Sequence, residues 1–259
     1  MADTRQADGT VTTWLDLDGA LNLRDLGGLP VSGGGVIRSR TLLRSASLRL
    51  LPPAAAARLI ADYGLRTVID LRSPAELSAD GPSTLASAGV ATVHLPLIGD
   101  VDTTMERARL ESDPAKILAK AYQSFLDDRG EHLVTAARLV AWTGSGSVLV
   151  HCSAGKDRTG VTIALLLEAV GVPRASVLAD YNATNQVIGG VIDTLAQAMG
   201  TAEALNRVPL ALREAQPDAL RAILERIDRE YGGARGWLRA RGFEPVELEL
   251  LGHRLVEPR

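Results

Sequence analysis

Apolar and polar positions follow two different rhythms along this chain, and the change of rhythm marks its elements. From Leu65 to Leu71, centred on Val68-Ile69, and from Ser147 to Val150, apolar residues cluster in short runs, as in strands buried on both faces. Val90 to Pro96 reads as a third strand. Pro52-Pro53 opens an Ala-rich helix to about Tyr63 that Gly64 ends, because proline's missing N–H is harmless in a first helical turn. Ser73-Pro74-Ala75-Glu76 carries an N-cap serine, a proline at the first helical position and a glutamate at the third, which is a helix start. Helices are predicted over 114–127 and 131–142, with Ile117, Leu118, Ala121, Tyr122 and Phe125 on one face of the first. Lys116 and Lys120 lie one turn apart there and read as a solvated face. Val161 to Val170 is a further apolar helix.

The first fifty residues read as short strands and turns, with Leu21, Leu23 and Leu26 at half-buried spacing. Gly33-Gly34-Gly35 predicts a hairpin turn between Leu29-Pro30-Val31 and Val36-Ile37. Beyond Pro173 the chain reads helical almost to its end. Strands alternating with helices predict an α/β fold with a central, mostly parallel sheet flanked by helices. No repeat or long linker divides the chain, so residues 1–259 are read as a single domain, with 1–14 flexible.

Composition narrows the function. With 46% hydrophobic and 23% charged residues, this is an ordinary globular chain of 259 residues. A net charge of −3 gives no basic footprint for nucleic acid or an anionic membrane. The longest apolar stretch, Val161 to Val172, is too short to span a bilayer and contains Glu168, so no integral membrane association is expected. The polar N-terminus has no signal-peptide core, and the single cysteine, Cys152, suits a reducing compartment. A cytoplasmic protein is expected, with signal-peptide-independent export left open. The sequence gives no oligomeric state.

The strand at Ser147 runs into His151-Cys152-Ser153-Ala154-Gly155-Lys156-Asp157-Arg158-Thr159-Gly160 and then into a helix. Ligands of open α/β sheets bind beyond the carboxyl ends of strands. A strand–loop–helix turn there gathers backbone N–H groups into one concavity, and the helix N-terminus adds positive charge. Five residues separate Cys152 from Arg158, which lets the guanidinium face the sulfur across a bound oxyanion. The same field stabilises a thiolate, and Thr159 can donate to that sulfur. In-line attack by Cys152 on phosphorus, followed by hydrolysis of a phosphocysteine, is the chemistry expected. A nucleotide P-loop would need Ser or Thr after Gly155-Lys156, where Asp157 stands. His94, His132, His151 and His253 are scattered and no second cysteine exists, so no metal site is read. A buried structural cysteine would not explain the His, Lys, Asp, Arg and Thr packed around it.

His151-Cys152-x5-Arg158-Thr159-Gly160 resembles the signature of the cysteine-dependent protein tyrosine phosphatase superfamily. With Ala154-Gly155-Lys156-Asp157 inside the loop it resembles the bacterial protein tyrosine phosphatase B-type family of tyrosine and phosphoinositide phosphatases. Asn22-Leu23-Arg24-Asp25-Leu26-Gly27-Gly28, Leu43-Arg44-Ser45-Ala46, Val68-Ile69-Asp70-Leu71-Arg72-Ser73 and Asp180-Tyr181-Asn182 agree, over roughly 15–185. No Trp-Pro-Asp acid loop is present, since none of Trp14, Trp142 or Trp237 is followed by Pro-Asp. The resemblance implies that Asp157 is the general acid. Asp70, ending a strand that should neighbour the catalytic one, is the runner-up, and a supporting hydrogen bond that braces the loop is the role favoured for it. The resemblance also implies Cys152 as nucleophile, Arg158 as clamp, and Ser153, Ala154, Gly155, Lys156 and Thr159 as phosphate or substrate contacts, Lys156 for a second phosphate. His151, Arg24 and Asp25 are expected to support the site, and 185–216 to form a helical lid. No metal or organic cofactor is implied. Phosphorylated proteins or phosphoinositides are the expected partners. A catalytically silent phosphopeptide- or phosphoinositide-binding module is the main alternative, and a rhodanese-type sulfurtransferase a further one.

Overall fold

The computed structural model describes residues 2–7, 10–80, 83–99, 112–200 and 209–258. Its main sheet has seven strands: β1 (Ala2–Ala7), β2 (Thr10–Leu15), β3 (Arg24–Asp25), β5 (Leu42–Ser45), β6 (Leu65–Asp70), β7 (Ala91–His94) and β8 (Ser147–His151). They lie in the order β1-β2-β3-β5-β8-β6-β7. β5, β8, β6 and β7 run parallel, and β3, β2 and β1 extend the β5 edge antiparallel. β4 (Val36–Ile37) pairs separately with β9 (Val256–Glu257). The glycine triplet closes the predicted hairpin, with Pro30 bridging Val36 and Val31 N–H donating to Gly35 O at 3.2 Å.

Twelve helices are described: α1 (Pro53–Tyr63), α2 (Pro74–Asp80), α3 (Thr84–Ser87), α4 (Pro114–Asp128), α5 (Gly130–Trp142), α6 (Asp157–Ala169), α7 (Arg174–Ala183), α8 (Ile188–Met199), α9 (Leu210–Arg213), α10 (Pro217–Tyr231), α11 (Ala234–Ala240) and α12 (Pro245–Leu255). Side chains alternate across each strand, so the parallel strands feed two cores. Leu42, Val148, Val150 and Ile69 enter the larger, with α4, α5, α6, α10, α11 and α12. Leu43, Leu149, Val68 and Leu65 enter the smaller, against α1. No helix among the described residues is long and apolar enough to cross a membrane.

Within the first fourteen residues β1 and part of β2 form an antiparallel pair, which the β-branched Thr10-Val11-Thr12-Thr13 favours. One boundary shifts. The helix after the cysteine begins at Asp157 rather than Val161, because Gly160 N–H already donates to Lys156 O at 2.7 Å. Apolar periodicity starts four residues later than the helix does, since its first turn is spent on polar chemistry.

Candidate active site

The parallel strands β5, β8 and β6 end in register at Ser45, His151 and Asp70, and the cysteine loop rises from the middle of the three. Its six consecutive carbonyls are all taken. His151 O accepts from Leu71 N–H (2.9 Å), Cys152 O faces His151 Nδ1 (3.2 Å), and Ser153 O accepts from Ser47 N–H (2.8 Å). Ala154 O and Gly155 O accept from Asn22 Nδ2 (3.0 and 3.2 Å), Gly155 O also from Arg44 Nη2 (2.7 Å), and Lys156 O from Gly160 N–H. Among the described residues none accepts from the N–H groups of Ser153, Ala154, Gly155 or Lys156. With the carbonyls fixed to the surroundings, these donors are left to the loop's concavity, which makes an anion nest. Gly155 sits at φ +67°, and a Cβ there would come within 2.3 Å of Ser45 O. Only glycine fits at that position.

A buried ion network holds Asn22 and Arg44 in place. Asp180 on α7 accepts from Arg24 Nε (2.8 Å) and Arg44 Nη1 (2.5 Å), and Arg24 Nη1 reaches Asn22 Oδ1 (2.5 Å). Burial, then the neighbouring Arg44 charge, push Arg24 down to about 10, still protonated at neutral pH. Burial works against ionisation of Asp180, but the two arginines outweigh it and hold its carboxyl below the usual range. Arg44 Nε has no partner, so that guanidinium depends on Asp180 and Gly155 O. Replacing Asp180 with alanine should therefore destabilise the fold by about 3–5 kcal/mol, the cost of breaking a buried ion pair from one side. Urea unfolding checks this, and a loss below ~1 kcal/mol would show the arginines compensated elsewhere.

Arg158 on α6 is gripped by Glu76 on α2. Its Nη1 and Nη2 donate to Glu76 Oε2 (2.5 Å) and Oε1 (3.0 Å), a bidentate pair. The expected helix start is also present, because Ser73 N–H donates to Glu76 Oε2 (2.7 Å) and Glu76 N–H to Ser73 Oγ (3.2 Å). One carboxylate thus caps α2 and orients the Arg158 guanidinium. Burial favours its neutral form, but Arg158 and Ser153 hold Glu76 down at about 2. Burial opposes the Arg158 charge, and the Cys152 sulfur and Glu76 more than restore it, leaving Arg158 above the usual range. Ser153 spends its hydroxyl on Glu76 Oε1 (2.5 Å) rather than on the concavity.

Asp157 opens α6, where a carboxylate suits the helix dipole. Its Oδ1 accepts from Tyr122 Oη (2.5 Å), and Tyr122 Oη meets Tyr181 Oη at 2.6 Å. Lys156 Nζ lies 3.6 Å from Asp157 Oδ2 and donates to the carbonyls of Leu212 (2.6 Å), Arg213 (3.0 Å) and Glu214 (3.1 Å). All three ammonium protons are spent on the α9 end in this structure. Thr159 Oγ1 is buried and makes no hydrogen bond, so the expected donation to Cys152 is not formed here.

The supporting residues divide. His151 is buried behind the loop, with Nε2 3.7 Å from Asp70, and burial keeps its pKa below the usual value. Asp70 is occupied by Arg72, whose backbone N–H (3.0 Å), Nε (2.9 Å) and Nη2 (2.6 Å) all donate to it. Burial pushes that carboxyl up, but His151 and Arg72 carry it to about 2, which suits a brace and not a proton donor at neutral pH. Arg24 joins the Asp180 network. Asp25 does not reach the loop; its carboxylate accepts from Gly27 N–H (2.9 Å) and Arg40 N–H (2.7 Å). Of the expected lid, 201–208 lies outside the described residues. Within the rest, α8 sets Ile188, Val191 and Leu195 over Ala46, with the loop's Ala154 packed against them, in a cluster separate from both cores.

The loop thus brings together backbone N–H groups without protein acceptors among the described residues, an arginine held by Glu76 and a buried cysteine. The chain belongs to the tyrosine phosphatase family, whose model matches residues 15–257, and is thereby a phosphoric monoester hydrolase. The match extends well past the 15–185 carried by the sequence motifs. A Cupriavidus necator protein named among the tyrosine-protein phosphatases is 33% identical over 248 residues, 93% of this chain and 88% of its own. The triple specificity protein phosphatase PtpB of Mycobacterium tuberculosis is 28% identical over 270 residues, 90% of this chain and 95% of its own. Among solved structures, the core catalytic domain of the PP-IP phosphatase SIW14 from S. cerevisiae aligns with TM-score 0.34 at 17% identity, covering 67% of this chain and 96% of that one.

Glu76, Tyr122, Asn22, Arg44 and Asp180 enter the site without having been assigned a role from sequence. Glu76 left a signal, the capping pattern, which has a second use here. Asn22, Arg44 and Asp180 stood inside the motif segments with no role attached. The Tyr122 hydroxyl left none, since helical periodicity registers only the apolar ring.

Proposed function

We propose that the chain is a cysteine-dependent phosphatase that hydrolyses phosphotyrosine proteins, and phosphoserine, phosphothreonine and phosphoinositide substrates as well, through a phosphocysteine intermediate. The observation that carries this reading is the loop in which the carbonyls of His151, Ser153, Ala154 and Gly155 are held from outside, with those of Cys152 and Lys156 engaged by His151 and by the first helical turn, while Arg158 is locked by Glu76. Such a loop offers its N–H groups and guanidinium to three equatorial phosphoryl oxygens without reorganising when charge develops on them. The Cys152 sulfur attacks phosphorus in line with the departing oxygen. Asp157 gives that oxygen its proton, then takes one from the water that attacks the phosphocysteine, releasing phosphate and the free thiolate. The triple specificity in the name of the M. tuberculosis relative supports testing all three substrate types. Lys156 would serve a second phosphate only after leaving the carbonyls of 212–214.

The test is hydrolysis of a phosphotyrosine peptide and a soluble phosphoinositide in EDTA. Asp157→Asn should slow esters with poor leaving groups about 10²-fold while leaving those with good ones near wild type. Equal rates for wild type and variant on both ester classes would remove Asp157 from the acid role. Reduced, folded protein that binds phosphate but turns over neither substrate would favour the silent binding module.

A further inference from the structure

We infer that Tyr122 is a positioning residue for the proton donor, and that Tyr181 links it to the backbone of the segment leading into α10. The inference rests on Asp157 being the acid. Three groups in series carry it: Gln216 N–H donates to Tyr181 Oη (3.2 Å), Tyr181 Oη meets Tyr122 Oη (2.6 Å), and Tyr122 Oη donates to Asp157 Oδ1 (2.5 Å). Each phenol has one proton. Since Tyr122 spends its own on Asp157, Tyr181 must be the donor between the two rings. The chain therefore has one polarity, from the Gln216 backbone to the carboxylate. Both rings are buried, Tyr122 at 0% and Tyr181 at 1% exposure. Tyr181 packs where a Cβ on Gly160 would lie 2.7 Å from its ring, so the glycine after Thr159 makes room for it. Burial, then the Asp157 charge, keep the Tyr122 hydroxyl protonated far above neutral pH, so it is a permanent donor.

The consequence is orientation. With Oδ1 committed to Tyr122, the proton of the acid form goes to Oδ2, the oxygen facing Lys156. A proton donor fixed to one oxygen and one rotamer is held near its productive geometry, where small displacements cost large factors in rate. The charged and titratable groups around Asp157 are the Lys156 ammonium at Oδ2, Tyr122 at Oδ1, Tyr181 behind it, and the Arg158 guanidinium, which senses the Asp157 charge. Of the groups that touch the Asp157 carboxylate itself, Tyr122 alone can be removed as a donor with ring and charge unchanged. The same segment is held a second time, by Lys156 on the carbonyls of 212–214. Adjacent loop residues thus grip both the carbonyl and the N–H side of 212–216.

The experiment is a cycle of Tyr122→Phe, Asp157→Asn and the double variant, each on aryl phosphates with a poor and a good leaving group. Tyr181→Phe is measured alongside, and melting temperatures are recorded for all. Tyr122→Phe should slow the poor leaving group about tenfold, leave the good one within about twofold, and cost nothing further once Asp157 is Asn. The disappearance of the Tyr122→Phe effect once Asp157 is Asn is the readout that a purely structural role would not give. Tyr181→Phe should show the same pattern, weaker. If Asp157→Asn discriminates between leaving groups while Tyr122→Phe slows both equally or neither, the positioning role is wrong and the acid assignment stands. If Asp157→Asn shows no discrimination, both fall together.

Discussion

Cys152→Ser should reduce turnover of a phosphotyrosine peptide by ~10⁴-fold or more, the scale of removing a nucleophile that acts with its whole constellation. Phosphate affinity should survive. In the proposed mechanism the anion is bound by the loop N–H groups and Arg158, and those are held by Ser47, Asn22, Arg44 and Glu76, none of which needs the sulfur. Serine is close in shape but is a far weaker nucleophile without an adjacent base. His151 cannot act as one for it, since its ring is turned to Asp70 and to the Cys152 carbonyl. Isothermal titration with orthophosphate beside the kinetic assay separates the two properties. Retained turnover would exclude the phosphocysteine route. Lost phosphate affinity with an unchanged melting temperature would mean the sulfur helps to build the nest.

The residues to which the sequence assigns a reacting role and those that hold the loop also differ in how they lie along the chain. Cys152, Asp157 and Arg158 fall within seven residues of chain, and strand, loop and helix follow one another, so local pattern suffices to single them out. The holders come from far away: Asn22 reaches the loop across 132 residues and Arg44 across 111. Hydrophobic patterning also misreads such positions. The spacing of Leu21, Leu23 and Leu26 predicts a strand, but Asn22 sits at φ +53° and only Arg24–Asp25 pair. Arg24, the residue pattern would send to solvent, is fully buried. A buried arginine is tolerable only where a carboxylate meets it, and that partner, Asp180, lies 156 residues on. Asp70 shows the opposite case. Its place at a strand end allowed chemistry or a brace, the brace being favoured, and the arginine two residues along occupies its carboxylate as a brace requires.

Arg158→Ala should lose turnover by about 10³-fold or more, on the scale of deleting an arginine that stabilises a phosphoryl transition state, and should lose phosphate affinity with it. A second effect distinguishes a clamp held by Glu76 from a free one. Without Arg158 the Glu76 carboxylate keeps only Ser153 Oγ and Ser73 N–H, and a half-buried charge without its cation should cost about 1–3 kcal/mol at pH 7. In the wild type Glu76 is depressed from 4.5 to about 2, so its stabilisation is complete above pH 4.5 and is lost as pH falls towards 2. In the variant burial is opposed only by the Ser153 and Ser73 hydrogen bonds and no longer by the Arg158 charge, and Glu76 protonates at higher pH. The stability gap between the two proteins should therefore be largest at neutral pH and close as pH drops through 4.5 towards 2. Glu76→Gln added to Arg158→Ala should recover most of the lost stability and none of the activity, because it removes the stranded charge without replacing the clamp. Urea titrations at pH 7 and pH 3 measure the gap. A double variant no more stable than Arg158→Ala alone would show that the Glu76–Arg158 pair contributes no net energy. Full phosphate affinity in Arg158→Ala would show that the backbone nest binds the anion alone.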